Sequence, residues 1–200
     1  MAFQSISRLL GTSLAITALL LGSAQAETYQ IDPAHSSVAF SIRHLVSRTT
    51  GKFGEFSGSI TYDPAKPLAT QVEAVIQSAS IDTDNEKRDG HLSSPDFFDV
   101  EKYPEITFKS TKAEKKGDML IVTGQLSMHG VTKEIQLAVE ERGTGEHPYS
   151  KMPVAGFGAE LTLDRSEFGV DSWNDDFKVL GTEVKIMLNI EALVPAPKKE

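Results

Sequence analysis

Eight stretches of the chain alternate apolar and polar residues with a period of two, and this constrains the fold more than any other feature. Successive side chains of a strand point to opposite faces, so alternation marks strands buried on one side only. The stretches run Ser37 to Leu45, Phe53 to Tyr62, Gln71 to Ile81, Glu105 to Lys112, Asp118 to Leu126, Thr132 to Glu141, Val154 to Asp164 and Glu183 to Val194. Asp63-Pro64, Lys116-Gly117-Asp118, His129-Gly130 and Gly143-Thr144-Gly145 lie between them and read as turns. Successive antiparallel pairing then predicts an all-β, eight-stranded, up-and-down barrel, whose closure removes the sheet edges. Such a barrel is just wide enough to be filled by side chains or to hold one small ligand. Strands of about nine residues at roughly 3.3 Å each give a wall near 30 Å long before tilt, which suits a long, thin guest.

The inward phase places Phe40, Ile42, Phe56, Ile60, Ile76, Phe108, Val122, Leu137, Phe157, Leu161, Ile186 and Leu188 around an apolar interior. In a meander, the C-terminal ends of the first, third, fifth and seventh strands share one end of the barrel. Followed to that end, the same phase reaches His44, Lys52, Lys133 and Arg165, with Ser78 and Ser80 adding hydroxyls from the third strand. The functional expectation is a cavity with a cationic collar, suited to a lipid with an anionic or hydrogen-bonding head. The plainer one is that these cations pair with Asp82, Asp96, Asp99 or Asp164 and close the barrel end. The phase argument holds only where no bulge slips the register. Gly58 and Gly124 fall on the inward face, where they either leave room for a guest or let the wall kink.

Asp82 to Pro104 interrupts the strand pattern between the third and fourth strands. Thr83 or Asp84 is placed to cap a short helix through Asn85–Asp89, and Ser94-Pro95-Asp96-Phe97-Phe98 reads as a second helical turn with proline at its first position. His91, Phe97 and Phe98 from this insertion, with Phe168 and Trp173 from the connection after the seventh strand, are the candidate lid. The same aromatics would equally serve a filled barrel that binds a protein partner.

The N-terminus belongs to a different class. Arg8, the apolar run Leu9–Leu21 and Ala24-Gln25-Ala26 read as a secretory signal peptide over residues 1–26, which implies a periplasmic or secreted protein. Residues 27–194 then form one barrel domain, and 195–200 a mobile tail. The formal charge of −8 argues against nucleic acid as a partner, and no apolar stretch after the leader suggests stable membrane insertion. There are no cysteines, which excludes disulfides, thiol chemistry and cysteine-held metal clusters. Five histidines are present, but no nucleophile elbow, zinc-protease helix or phosphate-cradling loop accompanies them. No catalytic residue, metal site or cofactor is therefore assigned. His44 with His129 or His91 never reaches ligand spacing, and a homodimer is left open.

Several ordered segments resemble one family. They are Tyr29-Gln30-Ile31-Asp32-Pro33-Ala34-His35-Ser36-Ser37-Val38 with Phe40-Ser41-Ile42-Arg43-His44-Leu45, then Gly51-Lys52-Phe53 and Phe56-Ser57-Gly58. His91-Leu92, Ser94–Val100, Tyr103-Pro104, Gly124–Lys133, Asp164–Val170 and Leu180-Gly181 continue the series. Together they resemble the YceI-like polyisoprenoid-binding proteins. The resemblance implies a lipocalin-like barrel holding a polyprenyl lipid, such as an isoprenoid quinone or a prenyl phosphate, for carriage, storage or sequestration. It also implies a periplasmic setting and a link to stress responses, without chemistry of its own. Val46-Ser47-Arg48 after His44-Leu45 departs from the frequent His-Leu-Gly form, at the rim where a head group would sit.

Overall fold

The computed structural model describes residues 26–173 and 179–196. The leader read over residues 1–26 lies outside them except for Ala26, as do the last four residues of the tail. The strands are β1 (Glu27–Ile31), β2 (Ser37–His44), β3 (Ser47–Phe53), β4 (Phe56–Tyr62), β5 (Gln71–Gln77), β6 (Ile81–Asp82), β7 (Glu105–Lys116), β8 (Met119–Met128), β9 (Val131–Glu146), β10 (Pro153–Asp164) and β11 (Leu180–Leu193). They form eight staves, because β1 and β2, β3 and β4, and β5 and β6 are the halves of three interrupted ones. Each stave is antiparallel to the next. The barrel closes where β11 pairs with β2 at Leu188 opposite Val38 and with β1 at Gln30 opposite Leu193. The eight-stranded antiparallel barrel read from the alternation is the observed fold.

The three interruptions have local causes. Asp32 accepts the amide of Ala34 at 2.9 Å in a tight turn that separates β1 from β2. Between β3 and β4, Gly54 N donates to Ser80 O and Glu55 O accepts from Gln77 N, both at 2.9 Å, so this break and the 3-10 turn Ser78–Ser80 are bonded to one another. Such irregularities bend a wall that must curve to close. They also change phase. Phe53 and Phe56 both pack toward the interior core, with Gly54 and Glu55 between them, so Lys52 faces outward.

Other boundaries shift for equally local reasons. The expected loop after His44 is a tight turn at Leu45 and Val46, with Leu45 at φ 49°, and β3 begins at Ser47. Gly143-Thr144-Gly145 is no turn but part of β9, where the register shift at Gly156/Phe157 leaves Arg142 as the extra residue of a bulge. The turn is 147–152, where the Nδ1 of His147 accepts the amides of Tyr149 and Ser150. In the insertion, Asn85, rather than Thr83 or Asp84, caps helix α1 (Glu86–Ser93) by accepting the amide of Arg88 at 3.0 Å. Ser94–Phe98 forms turns instead of a second helical segment, with Phe97 N bonded to Ser94 O at 3.0 Å.

The interior has two parts. Val38, Phe40, Phe53, Ile81, Ile106, Leu126 and Phe168 form the buried cluster toward the end that carries α1. Tyr29, Ile60, Tyr62, Ala155, Phe157 and Ala192 form the other. In the latter the Tyr62 and Phe157 rings meet edge to face at 5.1 Å and floor the barrel. The Tyr62 hydroxyl donates to Glu141 at 2.7 Å, and Lys115 pairs with the same carboxylate. Burial followed by the Glu141 bond pushes the Tyr62 phenol well up, so it stays a donor.

Candidate functional site: a one-ended apolar cavity

Above that floor lies a cavity of about 620 Å³. All twelve side chains placed on the interior by alternation line it. On β11 the lining runs from Leu180 to Ile190 with a bulge of two residues between Leu180 and Val184, about 26 Å of strand or about 20 Å along an axis tilted roughly 40° to it. The space above Gly124 is not left for a guest, because a Cβ there would sit 2.5 Å from the Phe108 ring. Gly58 is crowded in the same way, by Ile31 and the Glu73 carbonyl.

Polar groups gather at one end. His44, cross-strand from Leu180, and Arg165 both line the mouth. Lys52 and Lys133, expected in the same collar, do not line it. Lys52 is turned out by the break after Phe53 and pairs with Asp82 at 3.4 Å. Lys133 keeps the inward phase opposite Leu126 but leans over the rim to Glu167 at 3.0 Å. Ser78 and Ser80 do not line the cavity either. The 3-10 turn buries Ser78, and the Ser80 hydroxyl donates to Gln77 O at 2.7 Å.

Alternation pointed to His44 and Arg165 but was silent on Thr83, Lys87 and Arg88, which also line the mouth. They sit on the insertion, where period-two reading has nothing to say. Arg88 is held by Thr83, with Nε donating to Oγ1 at 2.7 Å and Nη2 to the carbonyl at 2.6 Å. Thr83 in turn donates to Asp89 at 2.5 Å. A capping reading noticed Thr83 but gave it the wrong task.

Arg165 is the most confined cation of the site, only 5% exposed. Its Nε donates to Gly181 O at 2.9 Å and Nη1 to Val170 O at 2.6 Å, while Nη2 has no partner among the described residues. Burial lowers its pKa, and Asp171 and Asp164 oppose that shift from beyond ion-pair reach. Four candidate lid residues, His91, Phe97, Phe98 and Trp173, border the cavity. His91 and Phe97 stand 5.2 and 6.0 Å from Trp173, ring to ring, and His91 also reaches Asp96 at 3.1 Å. Phe168 is not a lid. It is buried in the core cluster, and its carbonyl meets the His129 ring.

His44, His91 and His129 do not assemble a metal site. Among the described residues, the group compact enough to hold an ion is Asp32, His35 and Glu191. It is already satisfied as a clasp, with His35 Nδ1 2.7 Å from Asp32. No helix among these residues is long and apolar enough to cross a membrane.

The chain matches the YceI-like domain family over residues 29–192. It belongs to that family. Protein YceI of Salmonella arizonae is 37% identical over 188 residues, covering 92% of this chain and 96% of the relative. Among solved YceI-like structures, the Campylobacter jejuni YCEI protein is 31% identical with a TM-score of 0.66, covering 79% of this chain and 90% of its own. Burkholderia cenocepacia BcnA reaches a TM-score of 0.74 at 27% identity, over 81% and 99%. A polyisoprenoid binding domain from Saccharophagus degradans shares the fold at 16% identity and a TM-score of 0.64, over 86% of this chain and 100% of that domain.

Proposed function

We propose that this YceI-like protein binds a polyisoprenoid or a similar long-chain amphipathic lipid, such as an isoprenoid quinone or a prenyl phosphate. The tail would lie in the barrel and the head at the mouth. The observation that carries the reading is the cavity: about 620 Å³, apolar over its whole depth, floored at one end and edged with polar groups at the other. Each methylene moved from water into such a wall contributes about 0.8 kcal/mol before ordering costs, so a few isoprene units supply ample driving force. The ligand named for the Saccharophagus degradans domain is of this class. A cavity of this size argues against a barrel filled by its own side chains and acting through its surface.

The role we assign is holding the lipid for carriage, storage or sequestration in the periplasm, without chemistry on it. The leader read in the sequence supports that location, and an apolar wall with titratable groups confined to the mouth supports the absence of chemistry. The test is native mass spectrometry of the mature protein purified from its own envelope, followed by organic extraction. A stoichiometric prenyl lipid is expected. A protein that carries none and refuses added prenols of every length would overturn the reading.

A further inference from the structure

We propose that the mouth is built for an oxyanion head group, a phosphate at the end of the lipid tail, with Arg165 as its main contact and Arg88 as a second cation. The inference rests on the lipid-binding reading and narrows it from any polar head to a charged one.

The argument starts from how the cations of this protein are distributed. On the outer surface several are matched with acids: Lys52 with Asp82, Lys109 with Glu73, Lys133 with Glu167 and Lys185 with Glu160, at 2.7 to 3.4 Å. The two guanidinium groups that line the cavity are not matched in this way. Neither makes an ion pair with a described residue, in a chain of formal charge −8 where carboxylates are abundant. Among the described residues, the Arg165 guanidinium is bonded only to the carbonyls of Gly181 and Val170, and that of Arg88 only to Thr83. Asp164, the acid next to Arg165, uses one oxygen on the amide and hydroxyl of Ser166 instead.

Neutral oxygens orient a guanidinium without cancelling its charge. Arginine stays protonated under all ordinary conditions, so this positive charge remains within an apolar wall. Its Nη2 is a buried donor with no acceptor among the described residues, an arrangement that proteins avoid unless something else completes it. A phosphate oxygen at the mouth supplies both the acceptor and the countercharge, and the water-poor surroundings strengthen that bond. A quinone carbonyl supplies the acceptor alone.

The experiment compares geranylgeranyl monophosphate with geranylgeraniol, delivered from the same detergent to the mature protein, with Kd measured calorimetrically. The phosphate is expected to bind at least about tenfold tighter, the factor set by one modest charge-assisted hydrogen bond. Arg165→Gln should remove most of that preference, weakening the phosphate's binding at least several-fold more than the alcohol's. Because Arg165 also braces Gly181 and Val170, Arg88→Gln provides a second variant outside that brace, expected to reduce the preference by a smaller factor. Equal affinity of the unaltered protein for the two lipids overturns the proposal, as does Arg165→Gln weakening both alike. Binding of neither lipid overturns the lipid-binding reading beneath it.

Discussion

Phe157→Ala should change which tail length the barrel prefers. Phe157 is 6% exposed and packs edge to face on Tyr62, so the pair forms the floor on which a tail would end. Removing a buried phenyl from a core costs about 3–5 kcal/mol, which a domain of ordinary stability survives. For a chain of this size that is a fall in Tm of roughly 10 °C. The space gained is about that of a six-carbon ring, close to one five-carbon isoprene unit. A tail one unit longer that fills it recovers up to about 4 kcal/mol in gross terms, at about 0.8 kcal/mol per carbon. The assay is competition among prenols differing by single isoprene units, with the melting temperature of each loaded form measured in parallel. The preferred length should move up by one unit, and that longer prenol should restore most of the lost Tm. An unchanged optimum, with the expected fall in Tm, would show that Phe157 does not set the end of the tail.

Lys52→Ala and Lys133→Ala should leave lipid affinity unchanged in the same titrations, since both ammonium groups are paired with acids outside the cavity. Tyr62→Phe removes a hydrogen bond to a carboxylate and should cost roughly 1.5–3 kcal/mol in urea unfolding. An unaltered midpoint would assign that bond no net role. Gly124→Val should destabilise the barrel by about 1–3 kcal/mol or more, because its Cβ would meet the Lys109 carbonyl and the Phe108 ring at 2.5 Å. The Asp32–His35 clasp carries a pH signature. The His35 pKa is raised from its ordinary 6.5, chiefly by the bond to Asp32, so its contribution is complete below that value and is lost as pH rises through the raised one. That of Asp32 is lowered from 3.8 by the same bond, so its contribution is complete above 3.8 and is lost as pH falls through the lowered value. The clasp is therefore whole between about pH 4 and 6.5, and His35→Gln should flatten the stability profile on both flanks of that window.

The wall of the barrel was legible because each of its side chains obeys a rule of period two that survives in any strand register. Phe40, Phe56, Val122 and Leu161 needed no knowledge of turns to be placed. The mouth was not legible to the same degree, because it depends on where the period fails. The extra residue between Phe53 and Phe56 is a backbone event with no compositional mark, and it alone sends Lys52 outward. Gly143 looked like punctuation but lies beside a bulge that lengthens β9. Arg165 could be found because β10 runs unbroken to it, whereas Arg88 lies on a helix, where a period of two says nothing of facing, and is held by local bonds to Thr83.

The incomplete third stave has a mechanical consequence. β6 is only two residues long and pairs with β3 alone, while β7 begins at Glu105, opposite Gln77 below it. Near the mouth, therefore, no ladder joins β6 to β7, and the insertion carrying α1 stands beside the gap with Leu92 and Phe98 packed on the core. Beyond the bond from Ser78 N to Pro104 O at 2.8 Å, the wall here is shuttered by side chains rather than sewn shut by a backbone ladder. Swinging that shutter parts dispersion contacts one by one and leaves every ladder of the other staves intact. A long flexible molecule could therefore slip in sideways from a surface it never fully leaves, instead of being threaded end-on through water.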